Sequence, residues 1–290
     1  MLKLQTPVEI PDSGIKISFD DSIMLLGSCF SDNIGTIMKN MGFDVCVNPF
    51  GTLYNPVSVC NSVRRLDCAI PFSADECVQM GAGSQLVCSF SHHTLSARAT
   101  AEEFLADANA SLKEAAEFFR KASTLVITLG TAWAYRFNAT GEIVSNCLKR
   151  DAREFTRERL PLKVCTALLN SLSERYPDKR FIFTVSPIRH LKDGAHGNQI
   201  SKSTLLLAEE SVVQAHPGQC AYFPAYELVM DELRDYRFYA EDMVHPSQQA
   251  VNYIWERFCD FALPESERET LERNRKEFLR SQHRPLSGPR

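Results

Sequence analysis

The ten cysteines of this 290-residue chain include no CxxC pair, which removes zinc-ribbon and thioredoxin-type readings. No glycine-rich phosphate loop and no dinucleotide fingerprint occur, so nothing calls for a nucleotide cofactor. The G-x-S-x-G elbow of α/β-hydrolases is also missing. No apolar run approaches the ~18 residues of a membrane span, and the N-terminus lacks the apolar core of a signal peptide. Charge of neither sign dominates: the formal net charge is −4 and the pI about 6.0, which gives no global pull toward nucleic acid. Several cysteines sit inside apolar runs, as in "FDVCV" and "LVCSF", where a reduced thiol behaves as a small hydrophobe. Together these absences predict a cytoplasmic, thiol-reducing setting. The pair His92-His93 has no carboxylate or cysteine at ligand spacing, so neither metal nor other cofactor is expected.

What is present is an alternation of short apolar runs and amphipathic segments. "SIMLLG" (22–27), "FDVCVNPFG" (43–51), "STLVITLG" (123–130) and "RFIFTVSP" (180–187) read as buried strands, each ended by glycine or proline. Between them, 31–42 spaces Ile34, Ile37, Met38 and Met41 at helical intervals, with Ser31 or Asp32 available as N-cap. The segment 55–66 carries Pro56 at a first helical position, and 101–122 is rich in helix formers. Further helices are expected at "LKVCTALLNSLSERYP", "NQISKSTLLLAEESVVQAH" and 246–263. Such alternation predicts a parallel sheet covered by helices on both faces. One domain over 1–263 is expected, with insertions near 67–100 and 131–160. The Glu/Arg-rich 264–290 reads as a solvated helix or tail.

Ligands gather at the carboxyl ends of such strands, and there the chain places Gly27-Ser28-Cys29 just before a helix. A serine hydroxyl attacks only when a neighbouring base accepts its proton. "AEDMVHPSQQA" supplies one: Asp242 lies three residues before His245, close enough to orient the imidazole, ahead of a final helix. Cys29 is the rival nucleophile, but adjacent side chains leave a corner in different directions, so only one can face His245.

The stretches "LLGSCFSDNIG", "NPFGTLYNP", "LVITLGTAWAYR", "FTVSPIRHLKDG" and "YAEDMVHPS" together resemble the GSCFA-domain family, grouped with SGNH/GDSL-like hydrolases. The resemblance runs from about residue 5 to 262. It implies a flavodoxin-like three-layer α/β/α sandwich with a mainly parallel sheet of SGNH hydrolase type. It also implies ester chemistry, as an esterase or O-acyltransferase with a Ser-His-Asp triad. Carried over by motif, Ser28 is the nucleophile, and Asp242 and His245 complete the triad. The N–H groups of Ser28 and Gly51 form the oxyanion hole. The third block departs from the pattern, because "GTAW" puts Ala132 where an asparagine donor is expected. Thr131, Asn55 or Asn146 is then the substitute donor. The rival implied by that departure is a catalytically degenerate binding protein for a glycan or lipid precursor.

Near the site, Arg189, His190 and Lys192 follow a strand exit, where positive charge suits a carboxylate or phosphate. The bland alternative pairs Arg189 with Asp231 or Asp235 and His190 with backbone. Asn55, Asn146, Arg189 and His190 are therefore the candidate substrate contacts, for a small-molecule, glycan or lipid ester. Ser201-Lys202 lacks a partner motif for Ser–Lys chemistry, and Trp133, Tyr135 and Phe137 alternate as one face of a strand.

Overall fold

The computed structural model describes residues 6–12 and 14–282. Strand β1 (Ser22–Gly27) leads through α1 (Cys29–Asn40) to β2 (Asp44–Val47) and α2 (Pro56–Cys68). The segment 67–100 holds a two-stranded hairpin, β3 (Val78–Gln79) with β4 (Val87–Cys88). Helix α3 (Ala101–Lys121) returns the chain to β5 (Thr124–Leu129). The insertion after β5 is a three-stranded antiparallel sheet: β6 (Trp133–Phe137), flanked by β7 (Ile143–Val144) and β8 (Phe155–Arg159). Then come α4 (Leu162–Arg175), β9 (Arg180–Val185), α5 (Gly194–Ala215) and β10 (Cys220–Tyr222). The chain ends with the short α6 (Ala225–Glu227), α7 (Gln248–Ala262) and α8 (Arg268–Gln282).

The main sheet is five-stranded, all parallel, in the order β2-β1-β5-β9-β10. Counting these strands alone, that is the flavodoxin-like order, with its topological switch between β1 and β5. The layers follow from the period-2 alternation of side chains along each strand. In β1, Met24 and Leu26 join a core with α2, α3, α4 and α5. Ile23 and Leu25 face the opposite core, with Phe30, Ile34 and Met38 of α1 and Ile254, Trp255 and Phe258 of α7. A mixed α/β fold with helices on both faces of a parallel sheet is what the alternation predicts.

Several boundaries differ from expectation. Helix α1 starts at Cys29 and is capped by Ser28, rather than by Ser31 or Asp32. Helix α7 is capped by Ser247, whose Oγ accepts from Ala250 N–H at 3.3 Å, so Pro246 lies outside it. Helix α8 is not merely solvated: Leu271 is buried and Asn274 donates to the Met41 carbonyl at 2.7 Å. Residues 283–290 of the expected tail lie outside the described residues. Among the described residues no helix is long and apolar enough to cross a membrane.

Candidate active site

The corner after β1 depends on glycine. Gly27 has φ +135°, and a Cβ there would stand 2.0 Å from the Thr128 carbonyl oxygen. Ser28 continues the pairing by donating its N–H to that same oxygen at 3.1 Å. Its Oγ accepts the Phe30 N–H at 3.3 Å, which makes it the N-cap of α1. The residue is 1% exposed. Cys29, the first helical residue, is half-buried, and its N–H has no acceptor among the described residues. Burial and the Asp32 carboxylate push its thiol up, against the pull of nearby backbone amides and Lys202.

The loop after β2 wraps this corner. Asn48 Oδ1 accepts the Gly27 N–H at 2.8 Å, while its Nδ2 donates to Asp32 Oδ1 at 2.6 Å. Leu53 N–H closes the wrap on the Gly27 carbonyl at 2.7 Å. Burial raises the Asp32 carboxyl above its ordinary range. Gly51 has φ +79°, and a Cβ there would come within 2.4 Å of the His93 Cβ.

Two more exits converge beside it. The amides of Gly130 and Thr131 both donate to the Tyr54 carbonyl, at 2.8 and 2.9 Å. Fully buried, Lys202 donates to the Gly130 and Ser186 carbonyls at 2.7 and 2.6 Å, tying the ends of β5 and β9 together. Burial lowers its ammonium to about 7. The His190 ring sits edge-on to Tyr54, with centroids 5.9 Å apart. Its Nε2 is buried without a hydrogen-bond partner among the described residues. Burial and Lys202 push this imidazole down to about 4, so it is neutral at neutral pH.

The last loop carries an assembled dyad. Asp242 Oδ2 meets His245 Nδ1 at 2.5 Å, and Oδ1 accepts the amides of Val244 and His245, each at 2.9 Å. Those hydrogen bonds hold the Asp242 carboxyl at about 2. The loop is anchored by Arg189, which donates to the Met243 carbonyl and stacks on Tyr239 at 4.3 Å. Among the described residues, no hydrogen bond joins His245 to Ser28.

The family model for the GSCFA family matches residues 22–258. The chain belongs to the GSCFA family. No curated protein matches this GSCFA chain. Among solved structures it is similar to a carbohydrate esterase family 2 enzyme from Corynascus thermopiles (Myceliophthora fergusii), at 12% identity and TM-score 0.43. That match covers 84% of this chain and 66% of the other. It is also similar to an acetyl xylan esterase from the rumen bacterium Butyrivibrio proteoclasticus, at 8% identity and TM-score 0.40, covering 90% of this chain and 66% of that one. The GSCFA chain thus spans just under two thirds of either enzyme.

Within this GSCFA fold, most expected polar donors are already spent. The Gly51 N–H donates to the Asn48 carbonyl at 2.7 Å, and the Ser28 N–H is held by Thr128. Thr131 Oγ1 bonds Ser201 Oγ at 2.9 Å, and Ser201 also accepts the Ala132 N–H at 2.8 Å, so Ser201 is structural. Ala132 is fully buried and brings no donor side chain. Asn55 caps α2, accepting the Ser58 N–H at 3.0 Å and donating its Nδ2 to Ser58 Oγ at 3.0 Å. Asn146 Oδ1 accepts the Leu148 N–H at 2.8 Å, whereas no bond donated by its Nδ2 occurs among the described residues. Arg189 takes Met243 and Tyr239 as partners rather than Asp231 or Asp235. Asn48, Tyr54 and the carbonyl clamp of Lys202 went unread in the sequence. An asparagine directly after a strand, a residue type that tolerates the positive φ found there, is the signal the sequence offers. Among the described residues no group of three or more metal-ligating side chains occurs.

Proposed function

We propose that the protein cleaves a carboxylic ester through an acyl-enzyme formed at the β1–α1 corner, as an esterase or O-acyltransferase. The observation that carries this reading is the Asp242–His245 bond at 2.5 Å, on the loop that Arg189 ties to the end of β9. With Asp242 ionised down to about 2, it fixes the Nδ1–H tautomer and leaves Nε2 as the base. The sequence motif assigns the attack to Ser28, with a small-molecule, glycan or lipid ester as substrate. A cytoplasmic setting suits ten unpaired cysteines.

A second reading, a binding protein that kept the fold, draws support from the burial of Ser28 and the committed amides of Ser28 and Gly51. Turnover of p-nitrophenyl acetate by the wild type and a His245→Gln variant separates the two. General-base catalysis is worth about 10²–10⁴-fold, and a loss in that range supports the ester reading. Equal rates leave the binding reading.

A further inference from the structure

The corner holds two candidate nucleophiles, and the fold treats them differently. Both polar groups of Ser28 are structural: its N–H extends the β1–β5 pairing and its Oγ caps α1. With 1% of its surface exposed, Ser28 would have to give up the cap before it could reach a carbonyl carbon. Cys29 has neither commitment. It is half-buried at the first helical position, and among the described residues no backbone or side-chain oxygen accepts its N–H, which acts on its own thiol.

Groups from separate elements converge on that thiol. Asp32 of α1, Tyr54 of the β2–α2 loop and Lys202 of α5 interact with it electrostatically. Lys202 and His245 both act on His190, whose ring packs edge-on against Tyr54. A nucleophile whose own N–H is not spent on the sheet or a cap also brings its first oxyanion donor with it. At Ser28 that N–H is taken.

The geometry points to Cys29, not Ser28, as the side chain that attacks the ester carbonyl. This inference rests on the acyl-enzyme reading above and names its nucleophile. The Cys29 proton passes to His245 Nε2 as the Sγ–C bond forms, and the carbonyl π pair moves to oxygen, held by the Cys29 N–H. Collapse breaks the ester C–O bond, and the departing alcohol takes the proton from His245. Water then gives a proton to His245 and attacks the thioester. The carboxylic acid leaves and the proton returns to sulfur. Burial and Asp32 keep the resting thiol protonated, so attack needs the base rather than a standing thiolate.

The test is acid-quenched turnover of p-nitrophenyl acetate, with the acetyl group located by fragmenting the peptide that contains both residues. The expected adduct is on Cys29 and is released by neutral hydroxylamine, as thioesters are. Cys29→Ala should lose more than ~10³-fold in kcat. Ser28→Ala should lose less than ~10-fold and melt a few degrees lower, because it removes a cap. Cys29→Ser, close to isosteric, controls for folding and should retain only a trace of activity. An acetyl group on Ser28 or any other side chain, or a fully active Cys29→Ala, overturns the assignment while leaving the acyl-enzyme reading intact. No adduct and no turnover in the wild type removes both.

Discussion

Asp242 and His245 share a 2.5 Å hydrogen bond although both side chains are about half exposed, 50% and 48%. In such a solvated position an ion pair alone contributes little. The two amides that Asp242 also accepts give the loop its shape, so the carboxylate aims the imidazole rather than stabilising the fold.

Asp242→Asn should therefore act on kcat. An amide in that place lets the ring adopt the wrong tautomer, and a loss of about 10²–10⁴-fold is expected, with KM little changed. Because Asp242 stays ionised down to about 2, its own titration should not appear in a pH–rate profile between pH 4 and pH 9, roughly the working range of an ester assay. Steady-state kinetics of the variant across that range checks both points.

Two buried histidines make stability depend on acid. His92 and His190 are both pushed down to about 4, His92 by burial and the Arg65 charge, His190 by burial and Lys202. Their folded values lie below the unfolded value of about 6.5, so between those limits the unfolded chain binds more protons. Stability should fall as pH drops from about 6.5 to about 4, by ~1.4 kcal/mol per pH unit for each histidine. Urea melts over that window test it. His92→Phe, which keeps a ring among Phe50, Phe72 and Phe104, should flatten the slope by about one proton.

Lys202 clamps two strand ends from inside the fold. Lys202→Met would leave the Gly130 and Ser186 carbonyls without their donor. At about 1–3 kcal/mol for each of the two buried carbonyls left unsatisfied, a loss of roughly 2–6 kcal/mol is expected. Equilibrium denaturation reads it directly.

Gly27→Ala should be the least tolerated small change at the corner. A methyl group 2.0 Å from the Thr128 oxygen forces β1 and β5 apart, and φ +135° strains any other residue. Little folded protein should be recovered, as judged by circular dichroism. Gly14→Ala, at φ +68° with nothing within 4 Å, should fold.

The sheet could be read from the sequence because burial on two faces leaves a local trace. Met24 and Leu26 against Ile23 and Leu25 form a continuous apolar run, and the glycine that ends it marks the site. The D-x-x-H loop was equally readable, since three residues suffice to close that bond. What the sequence hides is how the folded backbone spends its polar groups. Asn55 and Thr131 carry the chemistry of oxyanion donors, yet Asn55 donates its Nδ2 to Ser58 Oγ and Thr131 Oγ1 bonds Ser201 Oγ. The Ser201 partner follows from where α5 docks, which no local pattern records, whereas the Asn55 cap is a local contact with Ser58. The same holds for Ser28: a serine one residue before a helix can be a nucleophile or a cap, and its contact with Thr128 is not written in any local pattern.

The proposed chemistry runs through a covalent acyl-enzyme at the β1–α1 corner, formed with help from His245. Stopped-flow release of nitrophenolate from p-nitrophenyl acetate, paired with intact mass after acid quench, tests it most directly. The expected result is a burst of one nitrophenolate per chain and one acetyl group within the segment Gly27–Phe30, both lost in His245→Gln. Turnover without any acyl adduct, or an adduct that forms equally well in His245→Gln, would contradict it.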